Sequence, residues 1–180
     1  RLITLVGDII KITQMDDKQL PIQREQLDLR ALCADVLEHL QPAADSAGVK
    51  IFLEGESQWV SGARQIADEM IYNLCDNAIK YNRPGGTVCV RLEPREEEAV
   101  ALSVEDTGIG IPQEHQGRVF ERFYRVDKNR SREIGGTGLG LSIVKHGALY
   151  HGAALYLDST PGVGTKITVV FPRHRPEQTQ

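Results

Sequence analysis

The chain has 180 residues, 41% hydrophobic and 26% charged, the balance of a soluble globular domain of ordinary size with its own core. A net charge of −4 argues against a general nucleic-acid binder, which would carry a basic surplus. Three cysteines without C-x-x-C spacing argue against a disulfide scaffold or a cysteine-rich zinc site and fit a reducing compartment, and no apolar run approaches the ~20 residues of a membrane span.

Residues 1–15 read as a helix. Leu2, Val6, Ile9 and Thr13 form a heptad-like stripe, with Ile3 and Ile10 alongside, wide enough to bury on two sides. That helix either extends beyond the domain or packs on it, and Met15 to Pro21 reads as a linker. Residues 22–27 suit a short edge strand. Asp28 can cap a helix running to about Ala47 and stopped by Gly48, with Leu32, Val36 and Leu40 on its core face. Val49 to Leu53 alternates like a strand, with Gln58 to Val60 as its candidate partner. A second helix is expected from about Ala63 to Tyr81, ending before the Asn82–Gly86 loop. Strands follow at Thr87–Leu92 and Ala99–Glu105, joined by a charged turn at Glu93–Glu98. The long stretch from Asp106 to Gly136 reads as a functional lid. A helix from Thr137 to about Tyr150 precedes strands near Ala153–Asp158 and Lys166–Phe171, and the tail from Arg173 is polar. This order predicts an α+β two-layer sandwich with helices on one face of a mixed sheet.

Four polar side chains of the second helix, Glu69, Asn73, Asn77 and Lys80, fall at steps of four, four and three and share one face, opposite Met70, Leu74, Ala78 and Tyr81. Such a row is either a solvated face or a site. Two asparagines in register favour the site, because Asn is a weak helix former whose side chain competes with the backbone. Amide oxygens suit Mg²⁺ where a nucleotide already brings negative charge, and Lys80 can meet a phosphate as a point charge. In Glu105-Asp106-Thr107-Gly108-Ile109-Gly110-Ile111-Pro112, an acid at a strand end precedes two glycines that admit close approach. The alternative is a turn with a capping Asp. Gly135-Gly136-Thr137-Gly138-Leu139-Gly140-Leu141 opens a helix, where free N–H groups and the helix dipole can bind phosphate. It matches neither the dinucleotide-binding fingerprint nor the P-loop. Between these segments, Arg118 to Arg132 holds six cations against two acids in a chain of negative net charge. A polyphosphate partner would explain that inversion, with a plain solvated loop as the alternative. Phe120, Phe123 and Tyr124 can dock the lid on the core. The step of five between His146 and His151, which splays them on a helix, argues against a metal site there.

In order and spacing these segments closely resemble the catalytic ATP-binding domain of sensor histidine kinases, in the GHKL ATPase superfamily. NLCDNAIKYN (Asn73–Asn82) resembles the N box, EDTGIGIP (Glu105–Pro112) the G1 box, VFERFYRVD (Val119–Asp127) the F box and GGTGLGLSIVK (Gly135–Lys145) the G2 box. Gly164-Thr165 resembles the small G3 motif. The F box separates histidine kinases from other members. The resemblance covers about residues 22–172 and implies a Bergerat-type ATP-binding fold there. It further implies that residues 1–20 are the end of a dimerisation and phosphotransfer hairpin with its linker, and residues 173–180 a tail.

The implied cofactors are ATP and Mg²⁺. Asn73 would hold the metal, with Glu69 behind it in the metal's water shell. Asn77 and Lys80 would face the phosphates, and Tyr81 would line the nucleotide. Asp106 would accept a hydrogen bond from the adenine amino group, with Gly108 and Gly110 permitting close approach around the base. Arg125 would reach the γ-phosphate, and Glu69, Asn73 and Arg125 would form the catalytic set. Gly136, Gly138 and Gly140, with Thr137 and Leu139 between them, would let the lid hinge and the helix end meet the phosphates. Thr165 would complete the nucleotide site. The family's acceptor histidine lies upstream of anything in this chain, and His39, His115, His146, His151 and His174 have no acceptor-like context. The expectation is therefore a fragment that phosphorylates a histidine on a hairpin domain, homodimeric in the parent protein, which serves a response regulator. No nucleic-acid partner is expected. The location is expected to be cytoplasmic, the parent anchored in the cell membrane through upstream segments. The alternatives are another GHKL ATPase and a non-catalytic nucleotide-sensing module.

Overall fold

The computed structural model describes residues 23–96, 98–126 and 136–172. The expected hairpin helix and linker of residues 1–20, the tail of residues 173–180 and the lid cations Lys128, Arg130 and Arg132 lie outside the described residues.

The described chain runs β1 (Glu25–Asp28), α1 (Leu29–Ala47), β2 (Lys50–Glu54), β3 (Trp59–Gly62), α2 (Arg64–Lys80), β4 (Thr87–Arg95), β5 (Ala99–Asp106), α3 (Gln113–Gln116), α4 (Gly140–His151), β6 (Ala154–Thr160) and β7 (Gly164–Pro172). Five strands form one mixed sheet in the order β2-β4-β5-β7-β6. Only the β2–β4 pair is parallel; the other three are antiparallel. α2 packs between α1 and α4 and rests on β4 and β5. The result is the expected α+β sandwich with its helices on one face. The strands alternate accordingly. Val88, Val90 and Leu92 of β4 and Val169 and Phe171 of β7 are buried beneath the helices, together with Met70 and Ile71 of α2. The opposite face carries charged cross-strand pairs, Arg91 with Glu54 at 2.9 Å and Lys166 with Glu105 at 3.9 Å.

The helix ends follow from local chemistry. Asp28 Oδ1 accepts the Arg30 N–H at 2.9 Å and starts α1, and Gly48, at φ +65°, closes it. Two expectations are corrected. Gln58–Val60 does not pair with Val49–Leu53. β3 pairs antiparallel with β1, setting Leu27 against Val60, while the inner edge of β2 is taken by β4. The Leu29 N–H, bonded to Gln58 O at 2.9 Å, fixes that register. The third long helix begins at Gly140 rather than Thr137, because Gly138 sits at φ +77°, which no helical turn can include.

No side chain caps the N-terminus of α2. Instead the Ala63 N–H donates to His151 Nε2 at 3.1 Å, across from the last turn of α4. Because Nε2 accepts, Nδ1 carries the proton and donates to Gly147 O at 2.8 Å. His151 is buried at 1% exposure, and burial pushes its pKa below the ordinary histidine value. His146 points elsewhere, its Nε2 3.1 Å from Arg122 Nη2, so the two histidines are splayed as expected. Replacing His151 with Leu orphans the Ala63 N–H and is expected to cost about 1–3 kcal/mol of stability. A neutral histidine with a lowered pKa contributes stability that is fully present above its ordinary value. That contribution is lost as pH falls through the lowered one. The stability gap between the parent and His151→Leu should therefore narrow on acidification. Urea unfolding of both proteins at about pH 7.5 and about pH 5 measures it, other titrations cancelling in the difference.

Candidate functional site

A cavity of about 300 Å³ opens between α2, the end of β5, the lid and the first turn of α4. That volume lies at the small end of the ligand-pocket range. Asn73, Asn77, Lys80 and Tyr81 line it from α2, Asp106 and Gly110 from the end of β5 and the loop beyond, and Thr165 from β7. Arg125 lines it from the lid, and Gly136, Thr137, Gly138 and Gly140 from the segment leading into α4. The three segments flagged in the sequence, far apart along the chain, thus meet around one space.

At one end, Asp106 is the last residue of β5. Its Oδ1 accepts the Gly108 N–H at 2.8 Å, and the Thr165 backbone N–H also reaches it. Burial pushes its pKa up to about 6 against the pull of those two bonds. The loop beyond is tied to the end of α2 by the Ile109 N–H, bonded to Tyr81 O at 3.1 Å. Gly108 does not line the cavity. It holds this corner together, since a Cβ there would strike Tyr81 O and Asp106 Oδ1. Gly110, at φ +69°, passes against the Thr160 carbonyl, where a side chain has neither space nor a relaxed backbone. Thr165 Oγ1 is 2.8 Å from Ser159 Oγ, which accepts the Ile111 N–H at 2.8 Å, so β6, β7 and the loop close around the same corner.

At the other end, Asn73 Nδ2 donates to Glu69 O at 2.8 Å on its own helix. That bond leaves Oδ1 as the free-facing atom of the amide, and it faces Gly140. A Cβ at Gly140 would come within 2.9 Å of Asn73 Oδ1 and 3.3 Å of Asn77 Nδ2. No side chain caps the N-terminus of α4, and its first residue, Gly140, borders the cavity. Arg125 donates to the Gly136 carbonyl. Leu139 is fully buried and anchors the segment instead of lining the space. Glu69 is a correction. Its side chain lies with Asp35, His39 and Asp68 along a separate shallow groove, away from the cavity. The reason is geometric: side chains tilt toward the helix N-terminus, so a residue one turn before Asn73 points back from the cavity.

Several lining residues were not read as site residues in the sequence. Asp76 is one: its Oδ2 sits 2.6 Å from Lys80 Nζ, and both line the cavity. Its only flag was its place three residues after Asn73, which reads equally as a solvated acid. Tyr124, expected only to dock the lid, is another. Its hydroxyl meets His115 Nδ1 at 2.6 Å, and the Arg118 guanidinium lies 4.4 Å over its ring. Val104, Ile109, Ile111, Val119 and Ile167 supply apolar walls. Among the described residues no group of three or more His, Cys, Asp or Glu side chains is placed to hold a metal ion. Among those same residues no helix is long and apolar enough to cross a membrane.

The family model described as "Histidine kinase-, DNA gyrase B-, and HSP90-like ATPase" matches residues 62–175. The chain belongs to this ATPase family. Within it, the chain is similar to the sensor histidine kinases. It is 35% identical over 174 residues to sensor histidine kinase WalK of Bacillus subtilis (strain 168), a match covering 96% of this chain and 28% of WalK. It is 35% identical over 179 residues to the sensor-like histidine kinase SenX3 of Mycolicibacterium smegmatis, covering 97% of this chain and 45% of SenX3. The chain thus spans less than half the length of these two relatives. A solved chain of the mycobacterial sensor histidine kinase MprB superposes with a TM-score of 0.74 at 32% identity, over 85% of this chain and 100% of that solved chain. Full-length ShkA, solved in complex with AMPPNP, superposes with a TM-score of 0.82 over 95% of this chain and 35% of ShkA. At 24% identity it speaks for the fold alone. Membership of the histidine-kinase-like ATPases makes this an ATP-binding domain.

Proposed function

We propose that residues 22–172 are the catalytic ATP-binding domain of a two-component sensor histidine kinase, which transfers the γ-phosphoryl of Mg²⁺-ATP to a histidine on a separate hairpin domain. In that reading residues 1–20 are the end of the hairpin and its linker, and a response regulator is the downstream partner. One observation carries the proposal. A single cavity holds a desolvated carboxylate at one end and, at the other, an uncapped helix N-terminus beside an amide oxygen.

The residues present fit the nucleotide. Asp106 offers an acceptor where adenine has an amine. The apolar walls suit a base plane, with Tyr81 at their edge. The first turn of α4 offers N–H groups and the positive end of its dipole to phosphate. Asn73 Oδ1, fixed by the bond to Glu69 O, would help hold the metal, since Mg²⁺ at a nucleotide needs few protein ligands. Bound in this way, the magnesium nucleotide supplies the phosphoryl group and the charge neutralisation that its transfer needs. The protein contributes positioning: Asn77 and Gly140 shape the phosphate end, and Arg125 stands at the lid side to follow the terminal phosphate.

This reading expects the chain alone to bind ATP yet leave itself unlabelled. A kinase acceptor needs an accessible ring nitrogen in line with the γ-phosphate, about 3–3.5 Å from phosphorus. His151 is buried, His115 is bonded to Tyr124, and His146 lies against Arg122. His39 packs beside Tyr72 on the separate groove. Incubation with γ-labelled ATP and Mg²⁺ should give no label on the chain, and an added histidine-bearing hairpin domain from a sensor kinase should gain acid-labile label. Label accumulating on the chain's own histidines would refute the assignment of an external acceptor.

A further inference from the structure

The chain turns sharply at Phe123, in the lid. Its φ is +64°, a left-handed conformation that bulky residues rarely adopt and that persists only where the surroundings hold it. Burial of the ring is not what holds it, since Phe123 is 56% exposed. Hydrogen bonds around the turn do. The Phe123 N–H donates to Gly138 O at 2.9 Å, and Arg125 donates to the Gly136 carbonyl. Both of these run to the glycine segment before α4. The Tyr124 hydroxyl instead meets His115 Nδ1, at 2.6 Å, on the short helix α3. That helix is moored to the sheet, because Gln116 Nε2 donates to Ile111 O at 2.8 Å and to Ser159 O of β6 at 2.9 Å. The Arg118 guanidinium, paired with Glu121 at 3.2 Å, lies 4.4 Å over the Tyr124 ring and holds it from one face. Tyr124 and Arg125 thus stand in the cavity wall, and His115 stands behind them, outside it.

We propose that His115 is a positioning residue for phosphoryl transfer. Its bond to the Tyr124 hydroxyl holds the left-handed turn at Phe123, and with it Arg125, at the cavity. The inference rests on the ATP reading above and deepens it. A guanidinium aids transfer only where its N–H groups already face the charge that develops, and a misplacement of about 1 Å can cost about 100-fold. Arg125 directly follows Tyr124, so a tether on the phenol limits where the guanidinium can go. Phenol and imidazole can bond in either sense, so the tether does not depend on one tautomer. Asp106 and Tyr81, at the base end, take no part in it.

The test measures transfer of label from ATP to an added histidine-bearing hairpin domain at saturating nucleotide. It compares the parent chain, His115→Ala, Tyr124→Phe and the double variant. Tyr124→Phe keeps the ring in the wall and removes only the hydroxyl. Each single variant should lose about tenfold in rate. The double variant should match either single within about twofold, because both substitutions remove the same bond. Independent roles would instead multiply to about 100-fold, which overturns the inference, as does a parent-like rate in either single variant. In an Arg125→Ala background, His115→Ala should add less than about twofold, and a full further loss would show that His115 does not act through Arg125. His115→Asn sets an amide where Nδ1 stood and should recover the rate to within about threefold of the parent, but not alongside Tyr124→Phe. Calorimetry with Mg²⁺-ADP tells positioning from loss of structure. ADP lacks the terminal phosphate, so every His115 and Tyr124 variant should bind it within about twofold of the parent. Equal losses of ADP affinity and transfer rate would reduce the bond to a fold contact and overturn the inference. A parent chain that labels no hairpin would instead bring down the proposed function, and this inference with it.

Discussion

Replacing Asp106 with Asn is expected to weaken ATP binding about 10- to 150-fold, the loss of a charge-assisted hydrogen bond of about 1.5–3 kcal/mol. Asp106 already accepts the Gly108 N–H at 2.8 Å and a bond from the Thr165 backbone, so a second acceptor lone pair is what it has left to offer an adenine amine. Asparagine cannot serve all of these donors. With its oxygen toward Gly108 it turns an NH₂ toward the adenine amine, and flipped it turns the NH₂ toward the Gly108 N–H; either way two donors face each other. The fold should survive, because the side chain sits at a cavity edge and the strand pairings of β5 are backbone bonds. The same carboxylate should reject GTP, which presents a carbonyl oxygen where adenine has its amine. The pH dependence has a definite sign. The acceptor is the carboxylate form, so the affinity advantage of the parent over Asp106→Asn should grow as pH rises through about 6. The stability of the empty domain moves the other way. A carboxyl whose pKa is raised by burial contributes stability fully present below its ordinary value and lost as pH rises through about 6. Calorimetry of the two proteins across that window measures the ratio, and titration of ATP itself cancels from it. Equal affinities at every pH would remove Asp106 from the base site.

Local chemistry made most of the fold readable, and long-range choices did not. Asp28 and Gly48 marked the ends of α1 as capping rules require, and the alternation read over Val49–Leu53 matched the burial of β2. The partner of β3 was misread because a four-residue strand has no register of its own. The turn between Glu54 and Trp59 looked like a hairpin, and only the burial of Leu27 against Val60 selects β1. The start of α4 was set three residues early because the glycine run was read as opening the helix, while the positive φ of Gly138 is visible only in the folded backbone. At the site, glycines and asparagines stood out because they cost helix or strand stability and so imply a reason. Asp76 cost nothing and hid among the charges of α2. Ile109, Ile111 and Val119 read as ordinary apolar residues, since nothing in a sequence separates a core position from a cavity wall. Glu69 was drawn into the site by its helical step, which places residues on a face but does not say which turn the cavity reaches.

Asn73→Asp is expected to lower phosphoryl transfer to a hairpin acceptor by about 100-fold or more, from a lost hydrogen bond and an added like charge of about 1.5–3 kcal/mol each. The parent amide does two things at once. Its nitrogen donates to Glu69 O at 2.8 Å, and its oxygen is thereby held toward Gly140, within 2.9 Å of where a Cβ there would stand. Aspartate has no N–H for Glu69 O, so two oxygens would face each other across that gap and the side chain must turn. The variant also sets a second carboxylate near Asp76, whose charge Lys80 already cancels, and no further cation among the described ion pairs is committed there. Negative charge then accumulates where phosphate must enter. A metal shell built on one neutral protein oxygen is the arrangement that tolerates a highly charged ligand, because the nucleotide itself neutralises the ion. Helix content should change little, since Asp and Asn have similar helix propensities and the apolar face of α2, with Met70, Ile71 and Leu74, is untouched. The measurement is a transfer rate against Mg²⁺ concentration for both proteins, with circular dichroism alongside. A rate equal to the parent's at every Mg²⁺ concentration would take the metal away from Asn73.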